Sequence, residues 1–374
     1  MPPPEPVPAA GHRRLLTDSM FAVAEDGGPD TFRSTEPLWY PIWARGIYGG
    51  ALIAQALTAA QHTVSSAFLV HSMHCHFVRA AQADVPLVYH VDRLRDGASL
   101  SLRVVRAHQH GQLVFSTTIS FARETKTTSL QHQAAFPAAA RVIGPPTSLG
   151  SMAVDEARLS KTCQVEFGSK FEAVRLPRDA PTSPEKERLL QWMRVRGSDG
   201  DGDGGGNGGG DDNSKGGPAG TVQAHLAALA YMTDNYFIGT ALRAHRGFRF
   251  TDASAAIHSR IQALDISTEK GRNTRKAFEK LAQEEQEEND GHTTAPPVAE
   301  MIVSLDHTIF FHEPAAVHAD DWLLVEAETP WAGHERGLVI ERIWNRNGVL
   351  MATCIQEGMV RLKQERGKAP LSKL

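Results

Sequence analysis

Residues 91–120 read VDRLRDGASLSLRVVRAHQHGQLVFSTTIS, and residues 329–357 read TPWAGHERGLVIERIWNRNGVLMATCIQE. In each stretch β-branched and aromatic residues alternate with polar ones, the period of a half-buried strand. His110-Gly111 and Asn347-Gly348 fall at matching places between β-rich runs, where a hairpin turn needs a residue tolerant of positive φ. Both stretches therefore predict strand, turn, strand, turn, strand.

Working outward, an aromatic-bearing strand precedes each meander, over His74–Arg79 and Thr308–His312. Before each of those comes an apolar, Ala-rich segment with helical character, GALIAQALTAAQHT from Gly50 and AHLAALAYMTDNYFIGTALRA over Ala224–Ala244. Helix followed by antiparallel strands thus occurs twice, which is internal duplication. The simplest architecture is α+β, with each repeat a long helix wrapped by a curved antiparallel sheet and the two repeats paired.

The expected division is a Pro-rich disordered tail over 1–15, a first domain over 16–125, a linker over 126–160, a second domain over 161–365 and a tail over 366–374. The second domain is interrupted twice. Residues 197–220 are Gly/Asp-rich and cannot build a core. Residues 268–298 are polar with a charged, helix-prone middle. The run from Asp199 to Gly204 imitates the start of a calcium loop, but Gly210 stands where that loop needs a bidentate Glu, so a flexible insert is expected.

Composition narrows the function classes. The 374 residues are 41% hydrophobic and 22% charged with a net charge of −4, so no basic field points to nucleic acid. Cys75, Cys163 and Cys354 are scattered and cannot all pair, which fits a reducing compartment. No secretory leader and no membrane span are expected. There is no HExxH, and His74 and His76 alternate on a strand without further ligands at metal spacing, so no metal is expected. The absence of GxSxG disfavours a serine nucleophile elbow.

Several motifs in order resemble the acyl-CoA thioesterase II family: RGIYGGALIAQA (45–56), HSMHCHFVR (71–79), LRDGAS (94–99), LDHTIFFH (305–312) and QEG (356–358). The resemblance covers nearly all of 35–122 and 172–195, then 222–245 and 301–362. It departs from the family at Ala80, where a proline usually follows the arginine, and in its two inserts. The resemblance implies a double hot-dog fold and hydrolysis of acyl-CoA to free fatty acid and CoA, with no cofactor beyond the CoA of the substrate.

The residues themselves leave alternatives open. Asp234 lies in the apolar run LAALAYMTDNYFIGTAL, where a buried carboxylate needs partners. It is either a functional carboxylate or a cap on the turn near Thr233 and Asn235, and the resemblance matches it to the catalytic aspartate. Gln356 alternates onto one face with Leu350, Ala352, Cys354 and Gly358, and is either a structural amide or a site residue. Eight residues beyond Gly111, the matching position holds Ile119, so one site per chain is expected. Ser304 is a weak signal alone, and the resemblance makes it the third polar member. Gly49-Gly50 opens the first helix, either as an oxyanion or substrate donor or to permit close packing. His74 is either a packed strand histidine or a reserve base. Asp306 and His307, adjacent on a strand, point to opposite faces and cannot converge on one substrate.

The expected mechanism is a water attack assisted by Asp234, Gln356 and Ser304, with a covalent acyl-Asp234 as the mechanistic alternative. The rival functions are an enoyl-CoA hydratase on the same fold and a non-catalytic acyl-CoA binding protein. The sequence ends Ser372-Lys373-Leu374, a receptor-read peroxisomal address, so the peroxisomal matrix and its import receptor are the expected location and partner. Acyl chain length depends on side-chain packing that sequence does not report, and self-association into a homo-oligomer is left open.

Overall fold

The computed structural model describes residues 23–39, 41, 44, 46–124, 129–146, 171–176, 183–195, 221–235, 237–247 and 297–363, with parts of 259–283. The 1–15 tail, the 197–220 insert, most of the 268–298 insert and Ser372-Lys373-Leu374 lie outside the described residues.

The first half contributes β1 (Val23–Glu25), β2 (Thr31–Ser34), helix α1 (Gly49–Gln61), β3 (Phe68–Phe77), β4 (Val88–Asp96), β5 (Leu100–Gln109) and β6 (Gln112–Arg123). A short helix α2 (Ala138–Ile143) follows. The second half contributes β7 (Phe171–Arg175), β8 (Leu189–Val195), helices α3 (Val222–Met232) and α4 (Gly239–Ala244), then β9 (Ala299–Ser304), β10 (Asp306–Phe311), β11 (Leu323–Gly333), β12 (Arg336–Asn345) and β13 (Leu350–Leu362). All described strands form one antiparallel sheet in the order β1-β2-β4-β5-β6-β3-β10-β13-β12-β11-β8-β7, with β9 beside β13. The halves join at the centre, where β3 pairs with β10 and Met73 faces Ile309. This is the α+β double hot-dog architecture, an open sheet around paired helices. No described helix is long and apolar enough to cross a membrane.

The duplication is exact enough to repeat its defects. In the first half the β5–β6 register slips so that Val114 has no partner, three residues past Gly111. In the second half the β12–β13 register slips at Met351, three residues past Gly348. The turns differ in detail. His110 and Gly111 both take positive φ, as a two-residue hairpin requires, whereas at the second turn only Gly348 does and Asn345 caps the loop by accepting from Asn347 and Val349.

Both central helices are apolar on all sides because each is covered on all sides. Gly50–Leu57 of α1 and His225–Met232 of α3 are buried. The two run antiparallel: Gln61 at the end of α1 donates to Gln223 O at the start of α3, and Tyr48 before α1 donates to Tyr231 O near the end of α3. Small side chains let them approach. A Cβ on Gly50 would lie 2.2 Å from Tyr231 O and 2.5 Å from the Tyr48 ring.

The helix expected over Ala224–Ala244 is broken. It stops at Met232 and resumes at Gly239, with Asp234 in the break. The stretch expected as linker also does more than connect: Phe136 packs against Trp192 and Trp344 on the outer side of the second half, and Ala140 of α2 joins the same apolar cluster.

The close helix crossing gives a direct test. Gly50→Ala forces an overpacked contact against backbone, and overpacking of this kind typically costs about 1–3 kcal/mol. Urea unfolding should show a lowered midpoint with unchanged slope. A wild-type midpoint would mean that the crossing is looser than described.

Candidate active site

Helix α3 ends inside the protein, so its last four carbonyls need partners. Leu229 O accepts from Thr233 N at 3.1 Å, and Met232 O accepts from Asn235 N at 3.0 Å. Ala230 O accepts from Thr233 Oγ1 at 2.9 Å. Tyr231 O accepts from Tyr48 Oη, also at 2.9 Å. The account closes, and it fixes the chain one residue past Thr233, where Asp234 emerges.

Asp234 meets groups from both halves. Gln356 Nε2 on β13 donates to Asp234 Oδ1 at 2.9 Å. The backbone N–H of Gly50, at the positive start of α1, also hydrogen-bonds the carboxylate. Gly49 makes room: a Cβ there would lie 2.6 Å from Asp234 Oδ2 and 2.8 Å from the Phe77 ring. Burial pushes the Asp234 carboxyl up from its ordinary value to about 6, against the lowering effect of those two hydrogen bonds.

Gln356 is fully buried. Its Nε2 also lies 3.0 Å from His307 Nδ1, while its Oε1 has no partner among the described residues. The other ring nitrogen of His307 lies 2.9 Å from Thr233 Oγ1. Burial lowers the His307 pKa to about 3, so the ring is neutral. Ser304 pairs with Gly358 across β9 and β13, which puts it on the face of Gln356, one pair along.

A second carboxyl stands near. Glu341 on β12 pairs with Cys354, and Val339 with Gln356, so Glu341 shares the face of Gln356. It is buried, and burial first, then the charge of Asp234, raises its pKa well above the ordinary value. The thiol of Cys75, opposite His307 on β3, is pushed up to about 12 by burial and is no nucleophile at neutral pH.

Asp234, Gln356 and the Gly49-Gly50 helix start therefore converge. His74 does not. It is exposed, hydrogen-bonds Thr308 Oγ1 at 3.3 Å and packs edge-on against Phe310, and its strand neighbour Cys75 takes the inner face. His74 therefore lies outside the group that gathers around Asp234. Asp306 accepts from Glu357 N at 2.8 Å and serves as a backbone cap, while His307 turns inward. His307, weighed in the sequence only as a pair with Asp306, and Thr233, weighed only as part of a turn, both lie against this group. Their only signal is the register, which places His307 beside Gln356 once β10 is paired with β13.

His225, His318 and Asp320 have donor atoms within 4.8 Å of one another, the one described group that could hold a metal ion. It lies at the far end of α3, roughly 10 Å from the helix end that carries Asp234. There His225 Nδ1 accepts from Ala319 N at 3.2 Å, a clamp between helix and loop.

Known proteins share this arrangement of domains. Residues 37–122 match the family described as acyl-CoA thioesterase N-terminal domain, and residues 213–360 match the acyl-CoA thioesterase C-terminal domain. The chain is 31% identical to acyl-coenzyme A thioesterase 8 of Mus musculus, over 96% of this chain and 93% of that protein. It is 24% identical to peroxisomal acyl-coenzyme A thioester hydrolase 1 of Saccharomyces cerevisiae, over 87% of this chain and 89% of that one. The solved structure of acyl-CoA thioesterase II TesB2 from Mycobacterium marinum superposes with a TM-score of 0.58 at 24% identity, covering 95% of this chain and 100% of that chain.

The buried Glu341 makes stability depend on pH. Its folded pKa is raised, so its proton binds more tightly in the folded state. That contribution is full below the unfolded value and is lost as pH rises toward the folded one. Glu341→Gln keeps the neutral shape. It should raise Tm relative to the parent at pH 8 and leave the difference near zero at pH 4. An equal shift at both values would show that Glu341 is not held neutral.

Proposed function

From the premise that this chain belongs to the acyl-CoA thioesterase family and is a thioester hydrolase, we propose that it hydrolyses acyl-CoA by direct attack of one water held by Asp234, Gln356 and Ser304. The observation that carries this reading is the Asp234–Gln356 pair. A half-buried carboxylate and a buried amide meet at 2.9 Å, and the amide's Oε1 is left as an acceptor.

In the proposed reaction Asp234 takes a proton from the water as its oxygen bonds to the thioester carbonyl carbon. Gln356 Oε1 accepts the water's second hydrogen, and Ser304 sits beside it on the same face. The Gly50 N–H is already committed to Asp234, so Gly49 N–H is the donor at this helix start for the developing oxyanion. Collapse of the tetrahedral intermediate breaks the C–S bond, and the proton on Asp234 passes to the departing CoA sulfur. The fatty acid carries the oxygen of the water.

The hydratase reading needs a convergent Asp/His pair, and Asp306 and His307 do not converge. His307 has both ring nitrogens engaged and a depressed pKa, which suits a fixed part and not a proton carrier.

Location in the peroxisome, with uptake by an import receptor, is proposed on the Ser372-Lys373-Leu374 ending and on the name of the yeast relative.

Asp234→Asn keeps the size and removes the base, and loss of a general base typically costs about 10² to 10⁴ in kcat. For the parent, kcat/KM should fall one decade per pH unit below about pH 6 and level off above it. Near-normal kcat in a folded Asp234→Asn protein would overturn the assignment. For location, a fluorescent fusion with a free C-terminus should co-localise with peroxisomal markers, and removing the last three residues should disperse it. Unchanged puncta after the deletion would refute the address.

A further inference from the structure

A glutamine amide offers two donor hydrogens and one acceptor oxygen. In Gln356 both hydrogens are engaged, by Asp234 Oδ1 at 2.9 Å and by His307 Nδ1 at 3.0 Å. A flipped amide would set Oε1 against a carboxylate oxygen. The observed setting in turn requires that His307 Nδ1 be the bare nitrogen, so the ring hydrogen sits on Nε2.

That hydrogen has one target. His307 Nε2 lies 2.9 Å from Thr233 Oγ1, and Thr233 spends its own hydroxyl hydrogen on Ala230 O at 2.9 Å. The Thr233 oxygen is therefore the acceptor of the imidazole hydrogen. Each link has one direction, from the amide through the imidazole and the hydroxyl to the end of α3. An imidazolium would reverse the middle link by placing N–H against the amide NH₂. Burial keeps the ring neutral, and Phe237 packs edge-on against it with ring centroids 5.2 Å apart. Thr233 and His307 are both fully buried, as Gln356 is.

We propose that His307 and Thr233 are positioning residues for the hydrolysis, a neutral relay that holds the Gln356 amide with its NH₂ on Asp234 and its Oε1 free for the attacking water. Neither touches the reacting atoms. The inference rests on the reading that Gln356 acts on that water.

The test uses thiol release from a saturated acyl-CoA by the full chain. His307→Ala should lower kcat by about tenfold, the scale of one lost oriented hydrogen bond, with KM changed by less than about twofold. In a Gln356→Ala background the same substitution should cost nothing further, because the two act on one event. Thr233→Val is close in shape but cannot receive the imidazole hydrogen, whereas Thr233→Ser can. Thr233→Ser should keep most of the kcat that Thr233→Val loses, the opposite of what a packing role would give. This pair decides the matter if His307→Ala does not fold. Equal losses from His307→Ala in both backgrounds, or wild-type kcat in Thr233→Val, would overturn the relay alone. Wild-type kcat in Gln356→Ala would overturn the site reading and the relay with it.

Discussion

A helix that ends in a protein interior must find donors for its last carbonyls without water, and α3 ends there. Thr233, Asn235 and Tyr48 satisfy its last four carbonyls. Those bonds force the chain out of the helix at Met232 and hold Asp234 against the start of α1. The antiparallel pairing of the helices makes this possible, because it brings the positive end of one to the end of the other where the chain breaks. Tyr48, from the first half, closes the account of a helix from the second. The Asp234 carboxylate is thus positioned by the same contacts that join the halves.

Charge in this interior is kept to a minimum. Three titratable groups lie close together, and burial pushes two of them toward neutrality: His307 down to about 3 and Glu341 well up. Asp234 is also pushed up, but two N–H donors oppose the shift and it stops at about 6. The two donors thus favour the carboxylate form in a place where burial alone disfavours charge.

The fold was legible because duplication writes the same signals twice. Hairpin glycines, alternation and an Ala-rich helix before each meander do not depend on long-range contacts. Asp234 and Gln356 stood out as polar groups in apolar runs, which is also a local property. His74 and His307 show where local reading stops. Both are strand histidines beside other polar residues, and only the pairing of β3 with β10 and of β10 with β13 reveals which face each takes. The break after Met232 was legible only as one alternative, a cap on the turn near Thr233 and Asn235, for a similar reason. Nothing between Ala224 and Ala244 forbids helix, and the break is stabilised by Tyr48, which is 183 residues distant from its partner Tyr231 in the chain.

Duplication also raises the question of why only one half carries the polar set. The shared register slips align Ile119 with Gln356, and Arg103, which pairs with Ile119, with Val339, which pairs with Gln356. Met73, the partner of Ile119 on β3, then stands in the place of His307. The amide and imidazole of the second half are thus a β-branched aliphatic and a thioether in the first. Arg103 fills the remaining space: it is fully buried, donates to Thr63 Oγ1 at 2.8 Å and to Thr63 O at 2.9 Å, and pairs with Asp96 at 2.5 Å. A buried guanidinium with its donors satisfied is costly to disturb, since removing its partners would leave an uncompensated charge. In this half the position that mirrors Val339 thus holds the buried Arg103 side chain. The first half still supplies what the second lacks, namely the Gly49-Gly50 helix start that receives Asp234.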